Sequence, residues 1–208
     1  KEYRRQRQMC IRDSHETGVH HPPIYDECSS TFVGKVHMLE SKLARRAKHT
    51  VYVSFAPEDR DEAEHFMSTF DNLGEVFLTR GPELTEESIH ALGDESAALS
   101  ALREQCLKDS AVTIVLLGKK TWNSAWVDWE IAATLAGPEP SGLLSIELPS
   151  LKGAWAPLPT RLSDNAPYAV SEKYPPTPIH LAKWINAAAE KDAPVHNERH
   201  LLGFSFAR

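Results

Sequence analysis

The stretch AVTIVLLGKKTWNSAWVDWEIAATLAG, residues 111–137, holds the strongest strand signal in the chain and, directly after it, a helix. Its first eight residues form a nearly continuous apolar run rich in β-branched residues, as expected of a strand covered on both faces. Residues 121–137 then carry three of the chain's five tryptophans and two carboxylates, Asp128 and Glu130. Tryptophan is costly to leave in water and glutamate is costly to bury. The helix therefore raises the question of whether Glu130 is an ordinary solvated side chain or one held in place for chemistry.

The same alternation extends outward from this stretch. TVYVSF (50–55) reads as a second buried strand, and Asp59 with Glu62 resembles a capping box opening a helix. That helix places Ala63, Phe66, Met67, Phe70 and Leu73 at near-helical spacing and is expected to stop at Gly74. EVFLT (75–79) is a short strand, followed by an acidic loop over 80–95 and a helix near 96–109 that buries Leu99, Leu102 and Cys106. GLLSIEL (142–148) gives a further strand, a Pro-rich loop spans 149–167, and a brief strand is expected at Tyr168–Val170. Thr177-Pro178 opens the last helix in the favoured cap-then-proline order, with Leu181, Trp184, Ile185 and Ala188 inward. Five alternations of strand and helix predict an α/β, flavodoxin-like, doubly wound parallel sheet of five strands with helices on both faces.

The remaining sequence is less ordered in pattern. RRQRQMCIRDS, within residues 1–14, matches the in-frame translation of a common sequencing adapter, and the chain starts at Lys1, so it reads as a fragment carrying an artefact. Residues 15–47 read as a leader with a short basic helix at its end, 48–190 as the domain and 191–208 as a C-terminal tail. The net charge is −6 over 208 residues, and more acidic without the first 14, which argues against nucleic acid or an anionic membrane as partner. No span-length apolar run appears, so the chain reads as cytoplasmic. The cysteines suggest neither a disulfide framework nor a zinc site, and no metal is expected.

In such sheets ligands bind outside the carboxyl ends of the strands, here next to Ser54-Phe55, Thr79-Arg80 and Gly118. GKKT (118–121) lacks the upstream glycine of a phosphate loop, and no dinucleotide-binding glycine fingerprint is present. Turning about 100° per residue puts Val127, Ile131, Thr134 and Leu135 on one stripe, with Glu130 at its edge one turn from Trp126. Asp128 falls roughly 160° from Glu130 by the same count, so the two are not a matched pair. Asp128 has a sufficient bland role in complementing the helix dipole. By spacing alone, Glu130 reads first as an edge residue whose stem packs while its carboxylate stays wet. Trp122 and Trp129 are expected to fill the core or a domain edge.

VYVSFAPEDRD, AVTIVLLGKKTWNSAWVDWEIAATL, LLSIELP and LAKWINAA together resemble a Toll/interleukin-1 receptor (TIR) domain, more closely the bacterial TIR-like group of Thoeris antiphage defence. The resemblance covers about residues 48–190, and its most specific part is Ser124, Trp126, Val127, Glu130 and Ile131. It implies an NAD+ nucleosidase or cyclase that breaks the nicotinamide–ribose bond of NAD, with Glu130 as the catalytic residue and NAD as substrate rather than cofactor. Phe55 and Trp126 become candidates for stacking on its rings, Arg60 and Arg80 for the pyrophosphate, and Ser54 and Ser124 for hydroxyl contacts. Each has a bland counterpart: Phe55 ends a core strand, Arg60 pairs with Asp59 or Glu62, and Ser124 is a helix N-cap. The resemblance also implies a cyclic ADP-ribose-type signal read by a downstream nucleotide-sensing effector. The alternative is a non-catalytic assembly module that self-associates through the 80–95 loop, although that loop is acidic and poor in apolar anchors. A nucleoside-processing transferase on a similar fold is a third possibility.

Overall fold

The computed structural model describes residues 49–70, 76–79, 84–151, 154 and 156–203, all within the compact unit Ala47–Arg208. The adapter-like stretch, the leader with its basic helix, Leu73, the helix stop at Gly74 and Arg80 lie outside the described residues.

The elements are β1 (Thr50–Ser54), α1 (Arg60–Phe70), β2 (Val76–Leu78), α2 (Glu86–His90), α3 (Glu95–Cys106), β3 (Val112–Leu117), α4 (Ala125–Leu135), β4 (Gly142–Glu147), α5 (Thr160–Asp164), β5 (Val170–Glu172) and α6 (Pro178–Ala189). The five strands are parallel in the order β2-β1-β3-β4-β5, the flavodoxin-like order expected from the alternation. The order reverses between β1 and β3, which fixes the switch point of the sheet there.

Strand alternation sorts the core into two layers. Val51 and Val53 of β1, Ile114 and Leu116 of β3 and Leu144 and Ile146 of β4 pack against Phe66 and Phe70 of α1 and Leu181 and Ile185 of α6. The intervening residues face the other way. Tyr52 joins Leu102 of α3 and Trp129 of α4, while Val115, Leu117 and Leu143 meet Val127 and Ile131 of α4 and Leu162 of α5.

Several local expectations change. Asp59 does not cap α1: Pro57–Asp59 is a 3₁₀ turn, and Glu62 instead accepts a hydrogen bond from Ser150 N at 3.2 Å. The proline at the start of that turn fixes the chain's entry, so no side-chain cap is needed there. The Pro-rich 149–167 segment contains α5 as well as a 3₁₀ turn at Pro149–Leu151, and β5 begins at Val170 rather than Tyr168. Trp122 does not fill the core but is 44% exposed. It sits in a 3₁₀ turn, Thr121–Asn123, ahead of the helix proper, and so falls off the inward stripe. Trp129 is buried as expected.

The largest departure concerns α4, which is buried from Trp126 through Leu135 on every side. A single inward stripe is what helical spacing suggests. Here the outer face is also covered, because residues 193–203 run back across it. Leu201 joins Trp126 and Trp129 in the core, and Ala193 and Val195 pack beside Ile131 and Leu162. This segment is part of the packed structure and not a tail.

Candidate active site

Tyr52 and Ser54 are two residues apart on β1 and therefore share the sheet face that α4 covers. Glu130 points at that face. Its carboxylate is 1% exposed and accepts the Tyr52 hydroxyl on Oε1 at 2.7 Å and the Ser54 hydroxyl on Oε2 at 2.6 Å. Both distances are those of well-formed O–H···O hydrogen bonds. The wet edge residue allowed by spacing is thus replaced by a buried, oriented carboxylate. A second polar tie lies one turn further on: Thr134 donates to the Glu130 carbonyl at 2.7 Å, and its Oγ1 is 2.8 Å from that of Thr113 on β3.

Both ends of α4 are capped. Ser124 is the N-cap, its hydroxyl accepting from Val127 N at 3.4 Å. At the other end Arg103 of α3 donates to the carbonyls of Ala133, at 2.9 Å, and Ala136, where a cation also complements the helix dipole. Trp126 packs edge-on against Trp129, with ring centroids 5.1 Å apart.

The loops after β1 and β3 are tied together at the switch point. The Thr121 hydroxyl accepts from Gly118 N at 2.7 Å and lies 3.3 Å from both Asp59 Oδ2 and the Leu116 carbonyl. A Cβ on Gly118 would come within 2.1 Å of the Asp59 carboxylate, so only glycine permits this approach. Burial raises the Asp59 carboxyl above its ordinary range, with the Thr121 hydrogen bond opposing and Glu62 and Glu58 reinforcing the shift. A groove of about 600 Å³ opens here, lined among others by Pro57, Glu58, Lys120, Trp122, Ser124 and Trp126. Its size is in the range of small-molecule sites.

The structure brings Ser54 to Glu130, and Ser124 and Trp126 to the groove. Phe55 belongs to the core on the opposite sheet face, with the Arg60 guanidinium 5.9 Å from its ring centroid. Arg60 pairs with Glu64, at 3.9 Å, rather than with Asp59 or Glu62. Tyr52 was missed by sequence reasoning, although its two-residue offset from Ser54 on a strand was the available signal.

Asp128 also has more than a dipole role. Arg161 of α5 meets it with two bonds, Nε to Oδ1 at 3.0 Å and Nη2 to Oδ2 at 3.2 Å, and Leu202 N donates to Oδ2 at 2.8 Å. Nothing in the spacing of the Pro-rich segment marked Arg161 as that partner. Among the described residues no cluster of ligands suited to a metal ion occurs, and no helix is long and apolar enough to cross a membrane.

Residues 52–153, which run from Tyr52 through the Glu130 helix to the end of β4 and beyond, match the family model described as Thoeris protein ThsB, TIR-like domain. No curated protein matches the chain. Fold, strand order and family match agree on a TIR-like domain, similar over residues 52–153 to that of Thoeris antiphage defence.

Proposed function

We propose that this domain cleaves NAD at the nicotinamide–ribose bond, with Glu130 as the catalytic residue. The observation that carries this reading is the buried Glu130 carboxylate, oriented by Tyr52 and Ser54 beside the switch point. Nicotinamide in NAD is cationic and leaves neutral with the electron pair of the C–N bond, so no proton donor is needed. The demand is to stabilise the oxocarbenium-like ribose, which a preorganised carboxylate meets electrostatically. Ribose hydroxyls are donors of the same kind as the Tyr52 and Ser54 hydroxyls that this carboxylate accepts. Water attacking the ribose carbon, with loss of its proton, gives ADP-ribose. A nitrogen of the adenine attacking instead gives a cyclic product, the signal a nucleotide-sensing effector would read. Trp126 and Ser124, which line the groove, are the proposed substrate contacts, whereas Phe55 belongs to the core layer on the opposite sheet face.

Incubation of the purified chain with NAD tests this. Nicotinamide should accumulate together with ADP-ribose or a cyclic product, and Glu130→Gln should lower the rate by roughly 100-fold or more. Equal product from the wild-type and Glu130→Gln chains would sink the enzyme reading. The assembly-module reading draws on one observation: Trp122 and Leu202 are both exposed and line a common groove of about 510 Å³. Concentration-dependent sedimentation that Trp122→Ser abolishes, with NAD left intact, would favour it.

A further inference from the structure

We infer that residues 193–203 form a positioning strap that sets the seat of α4 and, through it, the carboxylate of Glu130. The inference rests on the reading of Glu130 given above.

The strap ends on α4 at several separate points. Leu202 N donates to Asp128 and the Leu202 carbonyl accepts Trp129 Nε1, both at 2.8 Å. Asn197 Nδ2 donates to the Ala132 carbonyl at 2.9 Å. Arg161 joins the two partners from the side. Its guanidinium is 1% exposed, forks onto Asp128, and also donates to Asn197 Oδ1 at 2.8 Å and to the Arg199 and His200 carbonyls at 3.1 Å each. A buried guanidinium surrounded by fixed acceptors is a rigid joint, since each of its donors has one geometry.

These ties fall at residues 128, 129 and 132, on either side of Glu130 in sequence. A helix behaves as a rod over such a distance, so fixing the rotation of its outer face fixes the direction of its inner face. Tyr52 and Ser54 hold Glu130 from the sheet side while the strap holds the same turn from outside. Coverage alone would need only the apolar contacts of Leu201, Ala193 and Val195. The strap adds polar ties to Asp128, Trp129 and Ala132, around the turn that carries Glu130, and is itself anchored at Arg161, Asn165, Asp164 and Glu95.

The test uses the full chain and three variants. Asp128→Asn and Asn197→Ala loosen the strap at α4. Arg199→Ala is the control, because among the described residues the Arg199 side chain hydrogen-bonds only Asp164 of α5. Two readouts are followed: the NMR signal of the Glu130 side-chain carboxyl carbon, and kcat and KM for NAD cleavage, with circular dichroism confirming the fold. In the two α4 variants the Glu130 signal should move. Their kcat should fall by roughly 10- to 100-fold, the range that a misplacement of about 1 Å produces, with KM changed by no more than about twofold. Arg199→Ala should change neither readout. The inference is overturned if the Glu130 signal stays put in both α4 variants, or if Arg199→Ala acts as strongly as Asn197→Ala. If the wild-type chain releases no nicotinamide, the function reading falls, and the Glu130 signal alone decides the role of the strap.

Discussion

Asp128 and Glu130 sit two residues apart on one helix and are both buried, yet they are held by different chemistry. Asp128 is clamped by a guanidinium and a backbone N–H, whereas Glu130 receives the hydroxyls of Tyr52 and Ser54. A buried fork of charge fixes structure and is strongly destabilising to break. A hydroxyl rotates, and its place can be taken by another hydroxyl. The helix thus presents a structural carboxylate outward and an adaptable one toward the sheet.

The sharpest way to break this contrast is to remove the cation. Arg161→Met strands the Asp128 charge in a closed site and is expected to cost about 3–5 kcal/mol, read from urea unfolding. Glu130→Gln keeps the shape, accepting from one hydroxyl and donating to the other, and should cost about 1 kcal/mol or less. Equal losses for the two would erase the distinction between a structural and an adaptable carboxylate.

A smaller effect comes from the sheet side. Tyr52→Phe deletes one hydrogen bond to a buried acceptor and should cost about 1–3 kcal/mol. Ser54→Ala should cost a similar amount, and the double variant less than the sum, because both hydroxyls serve one carboxylate. Strict additivity in that cycle would mean that the two hydroxyls act independently of Glu130.

Legibility in the sequence follows the same division. The elements rest on period-2 and period-3.6 patterns within single segments and the doubly wound class on their alternation, and these were readable from residues such as Val51, Val53, Phe66 and Ile114. Glu130 was singled out by the likeness to TIR domains, while its burial was not, because helical spacing describes a helix against one surface. The second surface is made by Arg161 and by residues near 200, more than 30 positions downstream of Asp128. No local pattern reports a contact of that separation. Trp122 misled for the opposite reason, since its tryptophan identity suggested burial while its 3₁₀ turn placed it outside.

Asp59 offers the finest test, a third carboxylate held by a hydroxyl, but at the edge of solvent. Burial raises its pKa in the folded state above the ordinary 3.8, so the folded chain holds that proton more tightly than the unfolded one. The resulting stability is fully present below the unfolded value and is lost as pH rises through the folded one. Asp59→Asn has no such limb, and its amide oxygen can still accept from Thr121. The variant should therefore melt higher than wild type at neutral pH, with the gain vanishing as pH falls below the unfolded value. It should be smaller than the Tyr52→Phe effect, because a half-solvated carboxylate loses only part of its hydration. Asp164, which the Arg199 hydrogen bond holds below its ordinary range, loses its contribution as pH falls, but does so in both proteins and cancels in the difference. A variant that melts lower than wild type at neutral pH would mean that the Asp59 charge itself holds the two loops together. In that case a carboxylate held by a hydroxyl would be structural here as well, and the contrast drawn on α4 would not extend to the switch point.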